Sequence, residues 1–393
     1  MSHFSSRTPG DYRPNRLNEA LQARRAAGGA VLDLTLSNPT RAGLDYPQQA
    51  ILEALNDPRS LTYEPAPRGL AEARESVAAY HAGRGQAAEP ERLLLAGSTS
   101  EAYGWLFKLL CEPGDEVLAP RPSYPLFACL AALDAVRIVE YPLAEELRWG
   151  FDLDALERCR TPRARAVVLV NPNNPTGAYL KRDEWLRLQS WAAACGLAII
   201  ADEVFFDYAW RENRDRVSSF EATGETLVFT LSGLSKAAGL PQMKLGWIHV
   251  SGPRPLLDEV LERLEWIADA YLPVSAPVQY AAAAWLKLVP QIQASICGRC
   301  RENLATARSA FSAAGGARIL DPEGGWSVVL DMPRLHTEEE WALRLLEGQG
   351  VLVQPGFFYD FEREAFQVAS LLTPPAVFRE GLARIEKALL GPD

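Results

Sequence analysis

The chain of 393 residues has little of what marks a membrane, nucleic-acid or metal protein. No apolar run approaches the roughly 20 residues needed to cross a bilayer, so no membrane partner is expected. The opening stretch MSHFSSRTPGDYRPN is polar and has no apolar signal core, which makes the cytoplasm the expected location. Histidine is scarce: His3, His81, His249 and His336 show no metal-ligand spacing. Cys111, Cys129, Cys159, Cys195, Cys297 and Cys300 are scattered like reduced packing thiols. Cys297 and Cys300 form a lone C-x-x-C that reads as part of a long helix, and no metal is expected. A formal net charge of -10 argues against nucleic acid as a partner. Internal repeats, low-complexity linkers and blocks of like charge are absent too.

What the chain does have is ample apolar content, arranged in two ways. After an arm and loop to about Tyr46, short β-branched runs alternate with helical patterns over residues 47–276. Leu93 to Ala96, Glu116 to Ala119, Arg137 to Tyr141, Ala166 to Val170, Leu197 to Ala201, Leu227 to Leu231 and Gly246 to Val250 are the expected strands. Such alternation predicts an α/β large domain with a mostly parallel seven-stranded sheet. Ser100 is the expected N-cap of a helix running through Leu110. Over residues 277–393 the pattern changes to a helix from Pro277 to Ala314 and then strands at Trp326 to Met332, Val351 to Gln354 and Phe366 to Leu371. This predicts a smaller α+β domain.

The most informative segment is Leu231 to Trp247, LSGLSKAAGLPQMKLGW. It sets Lys236 directly after Ser235 and places a second cation at Lys244. An amine that condenses with an aldehyde, next to a cation and hydroxyls that hold a phosphate, is what pyridoxal phosphate requires. Two other segments stand at expected strand ends, where open α/β sheets bind ligands. NPNNPTG, Asn171 to Gly177, follows one strand, and Asp202 closes another. Asp202 facing a pyridine nitrogen would keep it protonated, and Asn174 could donate to the ring's phenolic oxygen. Pro172, Pro175 and Gly177 would hold the turn that aims Asn174. Taken singly, these segments also fit a solvated charge, an N-cap and a plain Pro-Gly loop.

Taken together and in order, they resemble the class I and II aminotransferases, the fold type I group of pyridoxal-phosphate enzymes. The resemblance runs through SNPT at Ser37, YEPAPRGL at Tyr63, GSTSEA at Gly97, PRPSYP at Pro120, NPNNPTG, ADEV at Ala201, SKAAGLPQMKLGW and SLLTP at Ser370. It implies that Lys236 is the Schiff-base lysine, Asp202 the partner of the pyridine nitrogen and Asn174 that of the phenolic oxygen. Tyr124 resembles the aromatic that stacks on the ring. Ser98, Thr99 and Ser100, with Ser235 and Lys244, resemble the phosphate cradle. Tyr63 is similar to the tyrosine sent to the neighbouring subunit's phosphate, which implies a homodimer with shared active sites. The resemblance also implies that the arm of residues 1–46 packs partly with the small domain. The implied reaction is ping-pong transfer from a small-molecule amino donor to a 2-oxo acid acceptor.

Departures from the family pattern carry expectations of their own. Phe205 stands where a tyrosine usually bonds the phenolic oxygen, so the lysine-cofactor imine is expected to hold its proton to higher pH than in a Phe205→Tyr variant. Lys244 replaces an arginine, exchanging a bidentate fork for a point charge. Gly233 stands where serine is common. The expected last strand, Phe366 to Leu371, lacks the arginine that usually pairs with the substrate carboxylate. Either another cation, such as Arg41, Arg68, Arg121 or Arg363, takes that role, or the substrate presents a different group. These departures keep open a lyase, decarboxylase or carbon-carbon bond-forming reaction on the same scaffold. A ligand-sensing non-enzyme is the remaining alternative, although no basic recognition segment is present.

Overall fold

Aliphatic and β-branched runs buried on both faces build one large mixed sheet. The computed structural model describes residues 4–8, 14–311 and 316–390. Parts of the expected arm (1–3 and 9–13), of the expected helix end (312–314) and of the small domain (315 and 391–393) lie outside them. The strand order is Leu93–Ala96, Gly246–Ser251, Val228–Gly233, Ala198–Asp202, Ala164–Val170, Glu116–Arg121, Arg137–Ala144 and Gly150–Phe151. The five strands from Val228–Gly233 to Arg137–Ala144 are parallel, while Gly246–Ser251 runs antiparallel between its two neighbours.

Alternation along each strand sends side chains to two separate cores. Val168 and Ile200 join Leu106 of the helix Thr99–Leu110 and Leu264 of the helix Arg254–Tyr271. Val167, Leu169, Ile199 and Ala201 join Trp185 and Leu188 of the helix Arg182–Cys195. With both faces covered, the strands read as continuous apolar runs, and only their ends are free to carry polar chemistry.

The seven expected strands are present, and Gly150–Phe151 adds an eighth. This two-residue edge strand pairs antiparallel with Leu143 and Ala144 and is too short to leave a pattern in the sequence. The helix start is corrected as well. Ser98, not Ser100, is the N-cap: it is extended, and its hydroxyl accepts from Glu101 N at 3.1 Å. Glu101 in turn accepts from Gly97 N at 2.6 Å, so the turn is closed from both sides.

The C-terminal part holds an antiparallel sheet ordered Arg318–Leu320, Ser327–Asp331, Phe366–Ser370 and Gln354–Pro355. The expected strand from Val351 to Gln354 is split at Val353. Val351–Leu352 pairs in parallel with Leu32–Asp33, whereas Gln354–Pro355 pairs with Phe366–Ser370. The first pairing ties the early chain to the small sheet, and Ser370 N donates to Leu34 O at 2.7 Å. Thr35 and Ser37 are thereby carried to the strand ends of both sheets.

A 35-residue helix, Ala276–Ala310, runs alongside both parts. Its first half is bonded to the large sheet's side, with Gln279 accepting from Leu70 N and Trp285 donating to Ile51 O. Its second half meets the other part, where Asn303 donates to Leu371 O and Thr373 O. Cys297 and Cys300 lie on this helix, as expected. Among the described residues no helix is long and apolar enough to cross a membrane.

Candidate active site

At the carboxyl ends of the central strands lies a cavity of about 400 Å³. Lys236 reaches it because the strand Val228–Gly233 turns directly into the short helix Leu234–Ala237. Tyr208 fixes this turn from below, its hydroxyl donating to Lys236 O at 2.6 Å. The Lys236 Nζ lies 5.4 Å from the Phe205 ring centroid and 5.2 Å from that of Trp326. Burial among these rings pushes the amine below its ordinary value, with the Asp202 charge opposing.

Asp202 ends the adjacent strand, Ala198–Asp202. Its carboxylate accepts from Val204 N at 3.1 Å and from the Tyr103 hydroxyl at 3.2 Å. Burial raises its pKa to about 6, against the pull of Val204, Tyr103 and the Lys236 charge. Burial also holds the Tyr103 hydroxyl well above its usual range, so it stays a proton donor.

The asparagines of the Pro-rich turn divide their work. Asn171 donates to Glu203 and Val217 O, both at 2.9 Å, and Asn173 donates to Pro122 O at 3.0 Å. These two hold the loop in place. Asn174 faces the cavity, its carbonyl oxygen 3.5 Å from Ser327 Oγ, and its NH2 has no protein acceptor among the described residues.

At one end the cavity gathers hydroxyls, backbone N–H groups and a cation, the groups that could hold an anion. Ser98, Thr99, Ser100, Ser235 and Lys244 line it together, and the N–H groups of Thr99 and Ser100 open the first turn of a twelve-residue helix. Two glycines allow this convergence. A Cβ on Gly246 would lie 3.1 Å from Ser98 C and 3.2 Å from Thr99 N, and one on Gly233 would lie 2.9 Å from Gly246 Cα.

Every expected site residue except Tyr63 lines this one cavity, Tyr124 and Phe205 included. Tyr63 lies outside it, 72% exposed. Three of the four arginine candidates are employed elsewhere. Arg68 pairs with Glu265 at 2.6 Å, Arg121 with Glu362 and Glu140, and Arg363 with Glu145 and Asp331, while Arg41 is exposed. None of the four lines the cavity.

Sequence reasoning missed Tyr103, Thr35, Trp326, Gln354, Tyr359 and Ser370, all of which line it. Tyr103 had a usable signal, because it sits four positions beyond Thr99 on the same helix face. The others arrive through long-range packing and leave no local mark. Amine, carboxylate, amide, hydroxyls and a second cation within one cavity could hold a pyridine ring bearing an aldehyde and a phosphate, in a volume typical of cofactor sites.

The family described as aminotransferase class I and II matches residues 30–381. The chain is a member of that family. It is an aminotransferase, and the family uses pyridoxal phosphate. A glutamate-pyruvate aminotransferase, AlaA, of Escherichia coli is 28% identical over 359 residues, covering 89% of this chain and 88% of the relative. An alanine aminotransferase of Mycobacterium bovis is 28% identical over 344 residues, 84% of this chain and 79% of that one. Among solved structures, an aminotransferase from Escherichia coli superposes with a TM-score of 0.86 at 26% identity, covering 100% of this chain and 99% of that one. An alanine aminotransferase from Pyrococcus furiosus shares the fold, with a TM-score of 0.89 at 24% identity over 99% of this chain and 100% of its own.

Proposed function

We propose that this aminotransferase works by two half-reactions at one cavity, with Lys236 both holding the cofactor and moving the substrate proton. The observation that carries this reading is the convergence of Lys236, Asp202 and Asn174 on one cavity, and a lowered Lys236 pKa agrees with it. When bound, pyridoxal phosphate supplies an electron-accepting ring that lets bonds at the amine-bearing carbon break. A low pKa keeps the Lys236 Nζ unprotonated for a larger share of the time, as a nucleophile and a base both require. Asp202 would face a protonated ring nitrogen, and that cation would return the carboxylate to its charged form.

Asn174 would donate to the phenolic oxygen without help from Phe205, which has no hydroxyl. Thr99 and Ser100 N–H groups, the Ser98 and Ser235 hydroxyls and Lys244 would receive the phosphate, with Tyr124 covering the ring. Phe205 and Trp326 exclude water around the amine.

The family implies amino acid and oxo acid substrates. The relatives named for alanine and for glutamate and pyruvate make those the first compounds to try. The exposed Tyr63 fits a homodimer in which each subunit completes its partner's phosphate site. The chain is further divided into the arm of residues 1–46, a cofactor-binding domain at 47–276 and a small domain at 277–393. Borohydride reduction of the holoenzyme followed by peptide mass mapping tests the reading. The cofactor is expected on Lys236, and attachment elsewhere, or nowhere, would remove it.

A further inference from the structure

Resting on that reading, we infer that Gln293 is a positioning residue of the reaction: from the long helix, outside the cavity, it holds the short helix that carries Lys236 and so sets where the reacting amine stands.

The helix Leu234–Ala237 has four residues, and a single turn does not keep its shape by itself. The carbonyls at its end need donors from elsewhere. Three side chains supply them, each from a different part of the chain. The Tyr208 hydroxyl donates to Lys236 O at 2.6 Å, Gln293 Nε2 donates to Ala237 O at 2.9 Å, and the Tyr46 hydroxyl donates to Gly239 O at 2.7 Å. The Lys236 Nζ, by contrast, lies over the Phe205 and Trp326 rings and has no hydrogen bond or ion pair among the described residues. With no partner at its tip, the place of the amine follows from the backbone that carries it.

Gln293 is itself held in one orientation. Its second Nε2 hydrogen goes to Asp207 Oδ2 at 2.7 Å, and its Oε1 accepts from Arg84 Nη2 at 3.4 Å. A carboxylate and a backbone carbonyl only accept and a guanidinium only donates, so a flipped amide would lose all three bonds. Asp207 also accepts from Arg84 Nε at 2.8 Å and from the Tyr80 hydroxyl. Its carboxylate thus aims the amide, and the amide holds Ala237. Tyr80, Arg84, Asp207 and Gln293 all lie outside the cavity lining. Ala237 follows Lys236 directly, so a carbonyl released there shifts the neighbour of the reacting residue. Misplacing a reacting group by about 1 Å can cost about a hundredfold in rate.

Gln293→Met keeps the length of the side chain and removes both donated bonds. Tyr80→Phe is the control: it takes one bond from the same Asp207 carboxylate and leaves Gln293 on Ala237. The half-reactions of the holoenzyme with L-alanine and L-glutamate are followed by cofactor absorbance. Gln293→Met is expected to lower the first-order rate constant about tenfold, with the substrate dissociation constant changed less than about twofold. Tyr80→Phe is expected to leave both within about twofold and to lower only the thermal midpoint.

A second readout needs no cofactor. In the cofactor-free chain, the pH dependence of Lys236 acetylation by acetic anhydride, read by peptide mass, gives the pKa of the amine. Burial lowers that pKa against the pull of the Asp202 charge, and an amine freed from its place meets water. Gln293→Met is expected to raise it by about half a unit or more, and Tyr80→Phe to leave it in place. Tyr46→Phe removes one hydroxyl from the same set of tethers and should move both readouts the same way by less, so the test stands even where Gln293→Met folds poorly.

Equal rate losses in Gln293→Met and Tyr80→Phe would show a bond that serves stability alone and overturn the inference. Unchanged rate and pKa in Gln293→Met and Tyr46→Phe would overturn it too. Either result leaves the proposed function standing. Failure of the wild type to form an imine with pyridoxal phosphate at Lys236 overturns both.

Discussion

Tyr103 shows how much of this site rests on a residue with no reactive role. Its hydroxyl is a side-chain donor to the Asp202 carboxylate, and it works from a helix whose first turn lies at the anion cradle. Tyr103→Phe keeps the ring packing and removes that donor, so the Asp202 pKa should rise further above about 6. Activity requiring ionised Asp202 is lost as pH falls through this pKa, and the acid limb of the rate profile should therefore move to higher pH. Cofactor affinity should fall about ten- to a hundredfold, the worth of one hydrogen bond to a charged group, with little change in thermal midpoint. A pH-rate profile and a cofactor titration check both parts.

Glu203, next in sequence, gives a pH dependence of stability. Burial raises its pKa to about 7, although Ser218, Ser219 and Asn171 all donate to it. A carboxyl whose folded pKa exceeds its unfolded value favours the fold below the unfolded pKa and loses that contribution as pH rises through the folded one. Between about pH 4.5 and 7 the protein should thus lose stability from this group, by up to about 3 kcal/mol. Urea unfolding of the wild type and Glu203→Gln at pH 5 and pH 8 measures it, and the variant should gain relative stability at the higher pH.

At the scale of elements, the anion cradle depends on the close approach of two turns. The Gly246 contact with Ser98 and Thr99 leaves no room for a methyl group without a shift of a few tenths of an ångström. Gly246→Ala should push the helix start away from Lys244 and weaken cofactor binding by about tenfold, read from a fluorescence titration. Ser98→Ala should cost about 1 kcal/mol through the lost cap.

Element scale is also where the sequence was most and least legible. Apolar runs such as Ala166 to Val170 announced themselves, and their polar ends, Asn171 to Asn174 and Asp202, marked the expected functional edge. Ser98 was harder to identify as the cap, because three consecutive hydroxyl residues all suit an N-cap and only backbone extension separates them. Leu32–Asp33 and Val351–Leu352 are too short for any periodicity, and their pairing spans most of the chain.

For the whole molecule, the decisive question is whether the site is completed across a subunit boundary. Leu61 and Tyr63 are 92% and 72% exposed within a few residues of each other, an apolar display suited to burial against a partner. If the sites are shared, mixing Lys236→Ala chains with Tyr63→Ala chains should rebuild one intact site per hybrid dimer. Random reassociation makes about half the dimers hybrid, so activity should recover to about a quarter of the wild-type level. Recovery no greater than the sum of the two variants alone would show that each subunit works by itself.

The helix Ala276–Ala310 has a mechanical consequence at this same scale. At 1.5 Å per residue it is a rod about 52 Å long, moored to one bank by Gln279 and Trp285 and to the other by Asn303. Swinging one bank toward the other would load this rod in flexure. Pro290, which interrupts its hydrogen-bond ladder, is where the bend would concentrate. The stiffness of this helix would thus be one restraint on how far the two parts can swing, alongside ion pairs such as Arg363 with Glu145 that also join them.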